Sequence, residues 1–475
     1  MIDEIRNNRL SRRQFLVNSA MLSAAVALAA CAPAGTAPAA PAADSGAAAA
    51  PAAPAAADVP TPAIGVYGTA DAKVVIWHGL GGADGATFAT MLEQYAKENP
   101  DVSIQSETYG WDVFFQKYPT AVAAGTPPDW AIFHAAEVQQ MASQGLTQSM
   151  DDIFFSNGEL PKDDFAKAIM DAITYEGKTM AVPFDNHGWI QFVNTKVISD
   201  AGLDPQKLPT NADEFIEFAL QVTQDENGKR ANEDGFDPEK IKVFALHQSW
   251  PRFTIPSTLF QYQSGTISTD QKSALLNSEK SVAGIQFWHD LMYKHHVVPP
   301  QVPGQLGSYD LYKTNSLAIM WDGTWSLNFF KDNPDIDSPA SYATSLCSLA
   351  PDGHQANKMD SHIMTIPPGV AEENSARAAK LIKWLSDNGK TWATSGQIPA
   401  RVSVQKDPDV QAIWSVKAAA EEFNTIGVTE VPHKAFIEIQ TAWEAAVSAA
   451  LTNATPLADA LNEGNTAIQS ILDRG

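Results

Sequence analysis

The stretch "VVIWHGLGGADG", residues 74–85, joins an apolar β-branched run to a glycine cluster. A strand feeding a glycine-rich turn and then a helix is how dinucleotide sites begin, because the turn's N–H groups can meet a pyrophosphate. Here Gly79-x-Gly81 should close on a third glycine and closes on Asp84 instead. The acidic partner for a ribose belongs about twenty positions on. Asp101 is near that distance, but it lies in the polar turn "ENPDV" and not at the far end of the next strand. The turn is therefore expected to bind no nucleotide and to let Trp77 and His78 approach some other ligand. Other catalytic signatures are poor. "GKT" occurs at Gly177 and Gly389 without the upstream glycine of a phosphate loop, and no Gly-x-Ser-x-Gly elbow occurs. His289, His295 and His296 lack a Cys or Glu at ligand spacing, so no metal is expected, and no cofactor. Paired carboxylates could hydrolyse a glycoside, but they are too abundant here for their presence to inform.

The aromatic residues say more. Trp77, Trp111, Trp130, Trp189, Trp250, Trp321 and Trp325 mostly fall near expected strand ends or in loops. Mixtures of aromatic and hydrogen-bonding side chains recur in "PFDNHGW" (183–189), "HQSWPRF" (247–253) and "MWDGTW" (320–325). A pyranose presents an apolar C–H face and a rim of hydroxyls, so it suits flat rings flanked by planar polar groups. A single tryptophan is most often core. Several of them with polar neighbours on several loops point to a wet aromatic cleft.

From Lys73 onward strand and helix alternate. "KVVIW" reads as a buried strand, and Ala86–Lys97 as a helix with Phe88, Met91, Leu92 and Tyr95 on one face. "VSIQSETY" is the next strand, "WDVFFQKYPTAVAAG" a helix, and "DWAIF" a third strand before a helix around Val138–Ser143. This repetition predicts an α/β fold with a mostly parallel sheet, and ligands beyond the carboxyl ends of its strands. Trp77 and His78 lie at one such end, Phe133 and His134 at another. The C-terminal half is richer in helix, including single stretches over "DVQAIWSVKAAAEEF" and Ala435–Asp473.

With 475 residues the chain is too long for one core. Its first thirty residues read as an export signal: Ser11-Arg12-Arg13-Gln14-Phe15-Leu16 resembles a twin-arginine motif, and the apolar run Met21–Ala30 is too short to span a bilayer. Leu28-Ala29-Ala30-Cys31 looks like a lipoprotein cleavage box with Cys31 acylated. Residues 31–69 read as a tether, since 32–63 hold 17 Ala and 7 Pro and can build no core. Cys347 is then the only other cysteine, so no disulfide is expected within the mature chain. Cleavage removes a net +2 from a formal −23 and leaves −25, which argues against nucleic acid.

Five segments in chain order resemble the extracellular solute-binding proteins of ABC importers, the sugar-binding family that includes maltose-binding protein. They are "VVIWHG", "AAGTPPDWAIFHAAEVQQMASQGL", "YEGKTMAVPFDNHGWIQFVNTKVISDAGLD", "SLAIMWDGTW" and "SGQIPAR". The resemblance implies a two-lobed periplasmic-binding-protein fold with discontinuous lobes and a hinge: lobe one over 70–183 plus 340–388, lobe two over 184–339 plus 389–475. It implies a carbohydrate ligand in the inter-lobe cleft, delivery to the transmembrane subunits of a permease, no catalysis, and a monomer held outside the cytoplasm by the lipid on Cys31. The candidate ligand-binding residues are Trp77, His78, Trp111, Phe133, His134, Asp185, His187, Trp250, Gly323, Trp325 and Arg401. Two positions depart from the family pattern: Val193 stands where a tyrosine is usual, and Thr324 where a proline is usual between Gly323 and Trp325. The competing expectations are a glycan-cleaving enzyme and a surface adhesion or signalling module.

Overall fold

The computed structural model describes residues 62–300, 307–331 and 341–474. The export signal, Cys31 and nearly all of the Ala/Pro stretch lie outside the described residues. Two sheets organise the rest. In the first, β2 (Lys73–His78) runs parallel to β3 (Ser103–Thr108) and β4 (Trp130–His134). β2 alternates as a half-buried strand should, with Val74 and Ile76 fully buried, whereas the first four residues of β4 are all buried. The helix Ala83–Glu98 covers one face with Phe88, Met91, Leu92 and Tyr95 all buried, as the spacing predicts.

Two differences from expectation concern this sheet, and a hairpin outside it is one the sequence did not suggest. Residues 63–67, placed in the tether by composition, form β1 (Ala63–Tyr67), an antiparallel edge strand on β3. After Pro62 the sequence AIGVY carries the branched and aromatic residues that fit a pleated surface. The sheet is also less parallel than expected, because β14 (His362–Thr365) is antiparallel to both β4 and the short β7 (Val182–Pro183). The chain reaches β14 on its return from the second sheet and so arrives reversed. Finally, β5 (Thr174–Tyr175) and β6 (Lys178–Thr179) form a separate hairpin. Glu176 and Gly177 at its turn both have positive φ.

The second sheet is built on β8 (Asp185–Asn194), all ten residues of which are buried. β11 (Leu317–Gly323), β12 (Ser341–Thr344), β13 (Asn357–Asp360) and β15 (Ile398–Pro399) all pair antiparallel with it. β9 (Gln224–Asp225), β10 (Ile241–His247) and β16 (Gly427–Val428) complete the sheet. Residues 341–360, expected in lobe one, thus pair in the second sheet, and the chain rejoins the first only at His362. Two helical stretches also divide. Pro408–Gln411 and Trp414–Ile426 are separate helices, and the C-terminal stretch breaks between Leu451 and Leu457. Asn453 there has positive φ, and Pro456 cannot continue the preceding helix. The result is a two-lobed α/β fold. Among the described residues no helix is long and apolar enough to cross a membrane.

Candidate ligand-binding cleft

Two of the connections between the sheets pass one point. β7 leads through Phe184 into β8, and β13 leads through Ser361 into β14. Asp185 opens β8 and is fully buried. A carboxylate only accepts, and this one accepts from four donors: Nδ1 of His187 (2.9 Å), Nδ1 of His362 (2.8 Å), the His362 backbone N–H (3.0 Å) and the Trp392 indole N–H (2.9 Å). It ties the two crossings together. His134 ends β4 and is the direct cross-strand partner of His362. The three imidazoles form a cluster, with ring centroids 4.2 Å apart for His187–His362, 5.2 Å for His134–His362 and 5.6 Å for His134–His187.

Over this cluster lies a cavity of about 370 Å³. Its aromatic walls are Trp111, Trp250, Phe253, Trp325 and Phe436. Trp111 is centred 4.3 Å from His134 and stacks at 18° over His362, while Trp325 stands 6.0 Å from His187 and 5.7 Å from Phe253. Each of these two indoles lies against a glycine. A Cβ on Gly79 would sit 2.2 Å from the Trp111 ring, and one on Gly323 would sit 2.1 Å from the Trp325 ring. Only glycine allows a ring that close. Trp250 is 55% exposed and holds a left-handed backbone, φ 39°, at the N-terminus of the helix Pro251–Gln261. Strain at an exposed aromatic is a mark of a working surface. Beyond Trp111, Trp250 and Arg252 a second cavity of about 620 Å³ continues along the helix Phe436–Leu451.

The charges around the cleft are largely matched. Arg252 Nε lies 3.2 Å from Glu444, and Lys358 pairs with Glu430 while its Nζ sits 4.5 Å above Phe253. Asp84 Oδ2 accepts from the Gln397 amide at 3.0 Å. Burial pushes His134 down to about 3 and His187 to about 4, each helped by the charge on His362. For His362 burial acts downward too, but the Asp185 carboxylate outweighs it and the pKa is raised. Burial would raise Asp185, yet His362 and His187 hold it well below the usual carboxylate range. Glu137 is carried by burial up to about 7.

Of the eleven candidates, Trp111, His134, His187, Trp250 and Trp325 line the cavity. Asp185 and Gly323 lie behind it, orienting histidines and seating an indole. Four are placed elsewhere. Phe133 is fully buried against Phe114 and Tyr118, since alternation along β4 turns it away from His134's side. Trp77 packs on Tyr109 at 5.1 Å. His78 is buried beneath the glycine turn: the Leu80 N–H donates to its Nδ1 (3.1 Å), so the neutral ring's proton is on Nε2 and is given to Ser106 Oγ (2.7 Å). His78 therefore shapes the turn, whose residues 79–82 do line the cavity. Arg401 is bound to Asp164 (2.6 Å) and Asp387 (3.0 Å), away from the cleft. The sequence reading missed Glu137, Lys358, Asp360, His362, Phe436 and Gln440. Arg252 and Phe253 were within reach, in the quoted "HQSWPRF"; nothing local marks His362.

Comparisons with known proteins agree on the architecture. The maltotriose-binding protein of Pyrococcus abyssi is 24% identical over 352 residues, 71% of this chain and 69% of that one. The arabinooligosaccharide-binding protein of Halalkalibacterium halodurans is 23% identical over 257 residues, 52% of this chain and 53% of that protein. A solved ABC transporter solute-binding protein from Thermotoga lettingae, bound with α-D-tagatose, superimposes with a TM-score of 0.73 at 20% identity, covering 85% of this chain and all of that one. Members of this family are binding proteins that work outside the cytoplasm. With the family profile matching residues 90–419, the chain belongs to the bacterial extracellular solute-binding proteins.

Proposed function

We propose that this chain is the substrate-binding subunit of an ABC importer and captures a neutral oligosaccharide of two or more units in the aromatic cleft. The observation that carries this is the pair of indoles, Trp111 and Trp325, seated on glycines on either side of a polar histidine floor. Rings give sugar C–H faces a flat apolar contact, and imidazoles, Lys358, Asp360 and Gln440 offer hydroxyls partners. The adjoining 620 Å³ cavity supports a ligand longer than a monosaccharide. Neutrality follows from the cations: Arg401 is committed elsewhere and both Arg252 and Lys358 already have carboxylates. The relatives named for maltotriose and arabinooligosaccharide binding agree with this class of cargo.

The two crossings tied by Asp185 would serve as the hinge about which the lobes close. Twin-arginine export, a lipid on Cys31 and the Ala/Pro tether would keep a monomer near its permease. The test is calorimetric titration of the purified protein with maltose- to arabinose-based oligosaccharides and their phosphorylated forms. Binding of neutral oligosaccharides without turnover supports the proposal. Binding of phosphorylated sugars alone, or cleavage of the glycan, overturns it.

A further inference from the structure

The cleft floor has a feature that sugar capture does not require. Three imidazoles converge from three strands, β4, β8 and β14, and one nitrogen of each lies within 4.8 Å of the others. His187 and His362 are buried, and His134 has 15% of its side chain exposed. All three rings have their Nδ1 beside a carboxylate: Asp185 holds two of them, and Glu137 Oε2 lies 3.3 Å from the third. None of the three Nε2 atoms has a hydrogen-bond partner among the described residues. Behind His187 and His362 the Asp185 carboxylate takes the Nδ1 side of each ring, which leaves Nε2 as the nitrogen available to a metal once the ring is neutral.

We propose that His134, His187 and His362 form a three-nitrogen site for a divalent transition-metal ion at the floor of the cleft. Imidazole suits zinc, copper and nickel, and three histidines plus an open position is a known zinc arrangement. Zinc–nitrogen bonds of about 2.0–2.1 Å place tetrahedral donors about 3.4 Å apart, so nitrogens now within 4.8 Å of one another need approach by up to about 1.4 Å. The fourth position would face the cavity between Trp111 and Trp325, where water or a hydroxyl oxygen of the cargo can take it. This site shares the cleft of the proposed carbohydrate and stands independently of it. The surface histidines His289, His295 and His296 do not contribute; His289 Nε2, for instance, is bonded to Asn453 at 2.7 Å.

The test uses the purified full-length chain without a histidine tag, stripped with chelator and titrated with ZnCl2 and then CoCl2. One saturable ion per chain is expected. His134→Ala, His187→Ala and His362→Ala should each weaken it at least about tenfold, and the double variant His295→Ala/His296→Ala should leave it unchanged. Since changes at His187 and His362 also remove donors from Asp185, X-ray absorption of zinc on the unmodified protein provides a second reading, which must show three imidazole nitrogens. No saturable binding below about 1 mM, unchanged affinity in any of the three single variants, or a spectrum with fewer nitrogens overturns the site. Oligosaccharide titration in EDTA separates the two proposals. Sugar binding without metal binding overturns only the metal site, and metal binding with no sugar binding overturns only the carbohydrate reading.

Discussion

At the residue scale the cleft depends on side chains that glycines allow to lie flat. Trp325→Ala should weaken oligosaccharide binding at least about tenfold, or 1.4 kcal/mol, in a protein that still folds. Gly323→Ala should do nearly as much with the indole still present, because the new methyl would stand 2.1 Å from the ring and must displace it. Calorimetry on both variants checks this; full affinity in Gly323→Ala would mean that the seating is irrelevant. Trp250→Gly separates strain from function. Relief of the left-handed backbone should raise unfolding free energy by about 1 kcal/mol, and loss of the exposed ring should lower affinity. His78 sets a pH dependence. Burial takes its pKa from 6.5 to about 3, since a proton on Nδ1 would break the bond from the Leu80 N–H. The unfolded chain therefore binds more protons between those values, and the stability from His78 is complete above about pH 6.5 and lost as pH falls toward 3. Urea unfolding at pH 7.5 and pH 5 should show a smaller acid loss in His78→Gln than in the parent.

At the element scale the decisive piece is β8. Its sequence DNHGWIQFVN alternates poorly and contains five polar side chains, yet every residue is buried. Several of its polar groups bond across elements: Gln191 Oε1 accepts from the Trp321 indole (2.8 Å) and the Cys347 N–H (3.1 Å), and Asn194 Oδ1 caps Val197 (3.1 Å). Asp185 is the most demanding of these. Asp185→Asn keeps the shape but replaces an accepting oxygen with an NH2 that faces N–H donors. Loss of a buried charge partner typically costs about 3–5 kcal/mol. Chemical denaturation should show a fall of that order, and a loss under about 1 kcal/mol would remove Asp185 as the tie between crossings.

At the scale of the whole molecule, cargo and anchoring can be read independently. Oligosaccharide at a hundred times its Kd should raise stability by about 2.7 kcal/mol, seen as a shift in thermal unfolding. Cys31→Ser should release the exported protein from the membrane and leave that ligand-induced shift unchanged. A serine variant that stays membrane-bound after export would refute the lipid anchor.

The sequence alone determined what is local. Periodicity placed β2 and the helix, read as Ala86–Lys97 and found over Ala83–Glu98, and the apolar run "DWAIF" placed most of β4. A buried face repeats every two or every three to four residues, and a strand covered on both sides is apolar throughout. The glycine turn and the loops bearing Trp250 and Trp325 were legible for the same reason: backbone freedom and ring chemistry are written in adjacent letters. Proximity across the chain was not. Phe133 and His134 are equal candidates by position, and only the pleat of β4 against its core decides that one is packed and the other faces the cleft. Arg401 is a free cation in the sequence and a partner of Asp164 and Asp387 in the fold. His362, which resembles any histidine after a serine, becomes part of the cleft because two crossings meet at the Asp185 carboxylate. That meeting depends on long-range pairing between strands, which no local pattern encodes.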